Sequence, residues 1–131
     1  MSHKTTTSTS YRETMRAYLT VRQVREGKDL ERVNAVGEID LYTASLLRDA
    51  LADADRREVP NVLVDLSRVK FLALIGVQVL RASGARRAAA HHRLVVSAPT
   101  LAVQRVLSLT DVTGELEVYV STPSARSALT R

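Results

Sequence analysis

The sequence predicts an α/β domain with a mixed, mostly parallel sheet of about five strands, an N-terminal hairpin and several packing helices. An unbroken apolar run over residues 62–64 is typical of a strand that is buried on both faces. After an opening hairpin, strand and helix patterns alternate, and this order favours right-handed parallel crossovers. The chain has 131 residues, 45% of them hydrophobic, which is enough for one domain with one core.

The N-terminal part of the chain divides into a tail and a hairpin. Residues 1–15 begin with a Ser/Thr-rich stretch, so we expect a disordered tail there and a single domain over 16–131. Residues 18–25 alternate with period two and predict a half-exposed strand. A turn over 26–29 and a returning strand over 31–39 complete the hairpin.

The middle of the chain predicts a helix, a buried strand and a second helix. Asp40 or Thr43 can cap the first helix, because either side-chain oxygen accepts an orphan backbone N–H. The central strand opens at Asn61, and we expect a polar link over 67–70 before a second apolar run that starts at Phe71.

The second helix is predicted over residues 74–91, with a stripe of small and apolar residues facing the sheet. That stripe consists of Gly76, Val77, Leu80, Gly84 and Ala88. Each glycine costs about 1 kcal/mol relative to alanine in a helix interior, so we expect close packing on the sheet to compensate.

The C-terminal third continues the alternation. A short buried strand is predicted over 93–97, and an amphipathic helix over 100–110. A last alternating strand over 115–120 and a short terminal helix over 121–131 follow.

Composition narrows the classes of function. The net charge is +5 and the pI about 10.1, but the arginines are scattered and no aromatic residues are interleaved for base stacking, so we expect no nucleic-acid partner. No apolar stretch approaches the roughly 18 residues of a membrane span, and the N-terminus does not resemble a signal peptide. The chain contains no cysteine. We therefore expect a cytoplasmic protein with no membrane partner.

The loop after the central strand gives no sign of catalysis. Residues 73–76 read A-L-I-G and contain no acid, base or nucleophile. His91 and His92 are adjacent on a predicted helix, where neighbours point in different directions and cannot share a metal ion. We expect no enzyme activity, no metal site and no cofactor.

Three segments carry a resemblance to a known family. They are G-E-I-D at 37–40 followed by T-A at 43–44, V-D-L-S with F-L over 64–72, and V-x-R-V-L-x-L-T at 103–110. In order and spacing they resemble motifs of the sulfate-transporter and anti-sigma-factor-antagonist (STAS) family, most of all the small bacterial anti-sigma factor antagonists. The resemblance implies a STAS-like fold and a role in sigma-factor regulation of transcription.

The resemblance also implies a partner and a switch. Such antagonists bind an anti-sigma factor, often a serine kinase, and so free its sigma factor. The kinase phosphorylates a serine at the start of the helix that follows the central strand, and the added charge of about −1.5 to −2 disrupts the binding surface.

This chain departs from the family at the phosphorylation site. The family's usual D-S-S-G-[LI] is replaced by A-L-I-G-V over 73–77. Leu74 stands at the phosphoacceptor position and has no hydroxyl, and Ala73 cannot cap the helix, a loss of about 1 kcal/mol. We therefore expect a module that behaves as a permanently unphosphorylated antagonist.

The predicted partner-binding surface follows from these positions. It consists of Asp40, Phe71, Ala73, Leu74, Ile75, Gly76, Val77 and Gln78. The alternative for Phe71, Leu74 and Val77 is that they fill the core. The expected partner is a kinase-like anti-sigma factor, and the same surface could instead close a homodimer.

Two alternatives for function and regulation remain open. The chain could be a STAS-type sensor that binds a nucleotide, a lipid or a non-kinase partner, although it has no Gly-rich phosphate loop. Ser67 or a hydroxyl in the tail could replace the missing phosphorylation site, although Ser67 also suits a turn.

Overall fold

The structure is a computed structural model that describes residues 11–16, 18–98, 100–110 and 115–130. The prediction of disorder for residues 1–10 lies outside them. In chain order the elements are β1 (Tyr11–Arg16), β2 (Leu19–Glu26), β3 (Leu30–Ile39), α1 (Ala44–Arg56), β4 (Asn61–Leu72), α2 (Leu74–Ala89), β5 (Arg93–Ser97), α3 (Leu101–Thr110), β6 (Glu117–Tyr119) and α4 (Thr122–Leu129).

The strands form one six-stranded sheet in the order β1-β2-β3-β4-β5-β6. The pairs β1–β2 and β2–β3 are antiparallel, and the pairs from β3 to β6 are parallel. The predicted mixed α/β fold with an N-terminal hairpin is therefore confirmed, with one strand more than expected.

Helices cover both faces of the sheet. The larger core cluster joins α1, α2 and α3 to alternating positions of β2 to β5, and its strand members include Leu19, Val21, Val33, Ala35, Val62, Val64, Leu66, Leu94 and Val96. On the opposite face, Ala125 of α4 packs against Leu63 and Val95. Burial of the central strand on both faces explains its continuous apolar run.

Strand β1 corrects the predicted extent of the tail. Residues 11–15 were expected to be disordered, but they pair with β2 along their whole length. Arg22 Nε lies 3.9 Å from the carboxylate of Glu13, and Arg16 donates a hydrogen bond to Ser45 Oγ of α1 at 3.2 Å. An edge strand held by backbone pairing needs no apolar face, and charges on it discourage pairing with other chains. Hydrophobic periodicity therefore misses it.

The predicted polar link over 67–70 is also wrong, because β4 continues to Leu72. Its pairing with β3 shifts register twice, once between Asn34 and Val36 and once between Gly37 and Glu38. At each shift β4 contributes one extra residue, which is a β-bulge. Each bulge breaks the inward–outward alternation, so this part of a strand has the sequence pattern of a loop.

The inward stripe of α2 differs from the prediction at its C-terminal half. Gly76, Val77 and Leu80 are buried, but Ser83 and Arg87 follow them into the interior in place of Gly84 and Ala88. A Cβ at Gly76 would lie 2.6 Å from Leu72 Cδ1 and 2.7 Å from Ile39 Cγ2, so this glycine does permit close packing.

Arg87 anchors the C-terminal end of α2 from inside the protein. Its side chain is 1% exposed and donates hydrogen bonds to Asp55 Oδ1 and to the Arg93 carbonyl, both at 2.9 Å, and to the Val59 carbonyl. Burial lowers the pKa of the guanidinium, and the hydrogen bond to Asp55 opposes that shift. One cation thus ties α2 to α1, to the start of β5 and to the loop before β4.

We expect Arg87→Met to lower the free energy of unfolding by about 2–4 kcal/mol, because two buried carbonyls and a carboxylate lose their donor. The matched control is Arg86→Met. Arg86 also contacts Asp55, at 3.3 Å, but its side chain is 51% exposed, so its loss should cost less than about 1 kcal/mol. Urea denaturation of both variants measures the difference. Equal losses would show that Arg87 is not an anchor.

Candidate functional site

Four exposed apolar side chains lie near the points where β3 and β4 end. Leu41 and Tyr42 follow β3 and are 77% and 79% exposed, while Phe71 near the end of β4 and Leu74 at the start of α2 are 52% and 56% exposed. We call these four residues the apolar edge. Surface loops at the carboxyl ends of parallel strands are the usual place for binding in open α/β sheets.

Backbone pairing brings the two halves of the apolar edge together. Glu38 pairs with Phe71, and Ile39 pairs with Leu72. The Ala73 amide donates to the Ile39 carbonyl at 2.9 Å, which extends the ladder to the start of α2. The loop that carries Leu41 and Tyr42 therefore leaves the sheet beside the turn that carries Leu74.

The second bulge of β4 turns Phe71 outward. Val69 and Leu72 are buried at 2% and 3% exposure, whereas Lys70 and Phe71 between them are both exposed. Regular alternation from Val69 would bury Phe71 and expose Leu72. The extra residue reverses this, so Phe71 lies on the surface as the partner-binding prediction requires and does not fill the core.

Asp40 shapes the loop after β3. Its Oδ1 accepts hydrogen bonds from the amides of Tyr42 at 2.9 Å and Thr43 at 3.0 Å. Thr43 is the N-cap residue of α1, but its hydroxyl makes no capping bond and donates instead to the Glu38 carbonyl at 2.8 Å. Neither predicted side-chain oxygen therefore caps the first turn of α1. Asp40 instead binds the two amides that precede the helix and holds Tyr42 at the surface.

Gly37 allows this loop to leave the sheet. Its φ is +120°, and a Cβ there would lie 2.0 Å from the Tyr18 carbonyl oxygen, which accepts a hydrogen bond from the Glu38 amide at 2.9 Å. Only glycine tolerates such an approach at a positive φ. The glycine of the G-E-I-D segment therefore has a backbone role next to the site.

The predicted site residues divide by burial. Leu74 and Gln78 are exposed on the first turns of α2, while Ala73, its N-cap residue, is half-buried and makes no side-chain capping bond. Gly76 and Val77 are buried in the core, with Val77 at 0% exposure, so these two cannot contact a partner. Of the remaining predicted residues, Asp40 and Ile75 are half-buried, and Ile75 packs against the core.

The sequence patterns did not indicate that Leu41 and Tyr42 belong to the site. Both are large apolar residues in the short connection between β3 and α1, and both are more exposed than Phe71. Two adjacent apolar residues in a loop are a usable signal, because a loop residue seldom has a core to fill.

Ser67, the alternative phosphorylation position, lies in the first bulge of β4 and not in the turn that its motif predicts. Its amide donates to Asp65 Oδ1 at 2.8 Å, and its side chain is half-buried on β4. Its phosphorylation stays a prediction.

A buried acid–base cluster beneath α1 is structural. Glu31, 1% exposed, accepts hydrogen bonds from Gln23 at 3.0 Å and Arg57 at 2.8 Å. Burial raises the pKa of the neighbouring Asp53, but hydrogen bonds from Arg57 and Gln23 outweigh it, so that pKa lies below its usual value. An acid held ionised in this way does not suit proton transfer near neutral pH.

The described residues offer neither a metal site nor a membrane-spanning helix. They contain no group of three or more His, Cys, Asp or Glu side chains placed to hold a metal ion. His91 has a φ of +62° just after α2 and is exposed. No helix in the described ranges is long and apolar enough to cross a membrane.

Comparison with known families decides the classification. A family model described as "Mlab, STAS domain" matches residues 23–119, which is most of the chain. The chain belongs to the STAS domain family. The matched range includes all four residues of the apolar edge and strands β3 to β6.

Relatives of this STAS domain include anti-sigma factor antagonists. The anti-sigma-F factor antagonist RsfB of Mycobacterium tuberculosis is 38% identical over 47 residues, which span 36% of this chain and 38% of that protein. The match therefore covers well under half of this curated relative.

Solved structures extend the likeness over most of the chain. An anti-sigma factor antagonist from Mycobacterium paratuberculosis is 26% identical with a TM-score of 0.78, over 86% of this chain and 95% of that one. Unphosphorylated SpoIIAA, a Bacillus anti-sigma factor antagonist, is 14% identical with a TM-score of 0.66, over 92% and 96% of the two chains. This second likeness concerns the fold alone.

We expect Asp40→Ala to destabilise this STAS domain by about 1 kcal/mol, because two loop amides lose their acceptor. Hydrogen exchange at the Tyr42 and Thr43 amides should become faster, while exchange in the core strands changes less. Asp40→Asn is the control, since it keeps an oxygen at the same place and should retain most of the protection. If the asparagine variant loses as much as the alanine variant, the loop is not held by this oxygen.

Proposed function

We propose that this STAS domain is an anti-sigma factor antagonist that binds its anti-sigma factor through the apolar edge. The observation that carries the proposal is the exposure of Leu41, Tyr42, Phe71 and Leu74 where the paired parallel strands β3 and β4 end. Clustered apolar residues of this kind, rimmed by polar groups, mark protein-interaction surfaces. The naming of two relatives as anti-sigma factor antagonists supports the choice of partner.

The interface would have an aromatic and aliphatic centre. Tyr42 and Phe71 offer large, stiff side chains of the type that dominates binding energies at interfaces. Asp40 holds the loop that carries Tyr42 by accepting from two of its amides. Gln78 adds an exposed polar side chain on α2. Such a surface binds by burying apolar area, and it requires no ligand or metal ion.

Leu74 would make this interface permanent. It is the first residue of α2, where a hydroxyl would be phosphorylated in the resembled antagonists, and it points into solvent with 56% of its surface exposed. A leucine there cannot accept phosphate and adds apolar area to the interface. The chain would therefore oppose its anti-sigma factor in the cytoplasm without being switched off at this position.

We expect Leu74→Asp to weaken binding to the anti-sigma factor at least about tenfold, because a carboxylate would be desolvated at the centre of the contact. The control is Leu109→Asp on α3, where the side chain is 75% exposed and binding should change by less than about twofold, the range of a rim charge. Affinity purification of the tagged chain from its host, with mass spectrometry, supplies the partner, and calorimetry with purified proteins measures the affinities.

Each outcome of this experiment has a separate meaning. Recovery of partners that include no anti-sigma factor would contradict the assignment to sigma regulation. Wild-type affinity in the Leu74→Asp variant would contradict the apolar edge as the interface. Light scattering of the wild-type chain alone distinguishes a homodimer at the same edge, because that dimer would dissociate in the Leu74→Asp variant only.

A further inference from the structure

A polar cleft of about 500 Å³ crosses the sheet on the face opposite α1 and α2. Helix α4 covers this face over β4 and β5, where Leu63 and Val95 pack against it, and the cleft lies farther along, over β1 to β4. Arg22 and Asn34 line the cleft, and the residues before them in sequence, Val21 and Val33, belong to the core. Successive strand residues point to opposite faces, so the cleft lies on the face away from that core. The cleft is separate from the apolar edge, and its function does not depend on the proposed antagonist role.

Positive charge exceeds negative charge in the cleft. Three arginines line it, Arg22, Arg32 and Arg68, against the two carboxylates Glu13 and Asp65. If each carboxylate neutralises one arginine, the lining keeps a net charge of one positive unit. The local balance depends on which guanidinium has a protein partner.

Two of the three arginines contact carboxylates, since Arg22 lies near Glu13 and Arg32 near Glu26. Among the described residues, Asp65 has no cation partner and accepts from the Ser67 amide. Arg32 contacts Glu26 at 2.7 Å, and Arg126 of α4 contacts the same carboxylate. The hydrogen bond from Arg126, with the charge of Arg32, lowers the pKa of Glu26, so Glu26 stays ionised and is shared between two cations. Arg68 is exposed and makes no hydrogen bond or ion pair with any residue in the part of the chain that the structure describes.

A second observation comes from Asn34 on β3. Its side-chain oxygen is buried and has no hydrogen-bond partner among the described residues, and the same is true of Arg32 Nε. An unpaired buried polar atom is costly, and in native proteins it usually has a functional or structural reason. A ligand with a hydroxyl group could donate to this oxygen from the cleft.

The first bulge of β4 brings these groups together. Asn34 pairs with Asp65 and Val36 pairs with Arg68, so β4 has one extra residue between these pairs. Asp65 Oδ1 fixes the bulge by accepting from the Ser67 amide at 2.8 Å. Bulges often re-aim side chains next to functional sites, and here the bulged segment places Ser67 and Arg68 in the cleft lining.

We propose that this cleft binds a small hydroxylated oxyanion, in which a carboxylate or phosphate group contacts Arg68 and a hydroxyl group donates to Asn34. The cleft volume lies within the range of small-ligand sites. Its lining contains no aromatic side chain, so neither a stacked nucleobase nor a lipid chain fits it as well as a compact polar anion.

Backbone NMR titrations with citrate and with glycerol 3-phosphate test the proposal. The amides of Asn34, Ser67 and Arg68 should shift and saturate at millimolar concentrations. Arg68→Gln should weaken binding roughly tenfold or more, the value of a hydrogen bond to a charged group. Arg48→Gln, the same change at an exposed position of α1, should change it by less than about twofold, as expected for a screened distant charge.

Tricarballylate, which keeps the three carboxylates of citrate but lacks its hydroxyl, tests the role of Asn34. Wild-type protein should prefer citrate, and Asn34→Val should bind both equally while melting at a higher temperature, because an unpaired amide has been removed. Equal weakening by Arg68→Gln and Arg48→Gln, shifts confined to the apolar edge, or no saturation with either probe would overturn the proposal. Retained citrate preference in Asn34→Val would overturn the assigned hydroxyl contact.

Discussion

The pairing of β3 with β4 is the constraint on which the other features of this structure depend. The two strands are paired from Leu30 with Asn61 to Ile39 with Leu72, so ten residues of β3 lie against twelve of β4. A regular ladder would need equal numbers. The two additional residues are absorbed as bulges, and each bulge places two consecutive side chains of β4 outside the core.

Each bulge serves a different surface. The first presents Ser67 and Arg68 to the polar cleft, and the second presents Lys70 and Phe71 to the carboxyl edge of the sheet. The residues on either side of these two pairs, Leu66, Val69 and Leu72, remain buried and keep the strand attached to the core. The central strand can therefore supply both an apolar and a charged surface without losing its own packing.

Sequence patterns predicted the parts of the fold that hydrophobic periodicity controls. The hairpin, the central strand, the parallel crossovers and the helix positions follow from the spacing of valine, leucine and alanine. The bulges did not follow, because they are set by pairing between two strands and not by either strand alone. Strand β1 and the inward position of Arg87 were missed for a related reason, since polar residues carry no burial signal and their partners lie far away in sequence.

The candidate site differs from the prediction at two residues. Leu74 and Phe71, which the family resemblance assigned to the partner-binding surface, are exposed, but Gly76 and Val77 of the same assignment are buried on the inner side of α2. Helical periodicity had placed Gly76 and Val77 on the sheet-facing stripe, and the structure agrees with that stripe and not with their assignment to the binding surface. A Cβ at Gly76 would meet Ile39 and Leu72.

We propose that this STAS domain binds its anti-sigma factor through an edge that cannot be phosphorylated at position 74, where it has a leucine. The most direct test measures the dissociation constant of the purified complex before and after incubation with ATP and Mg²⁺, with intact-mass spectrometry of the chain. We expect the same affinity and the same mass in both conditions. A complex that weakens while the chain gains phosphate would contradict it, and the position of that phosphate would show where the switch lies.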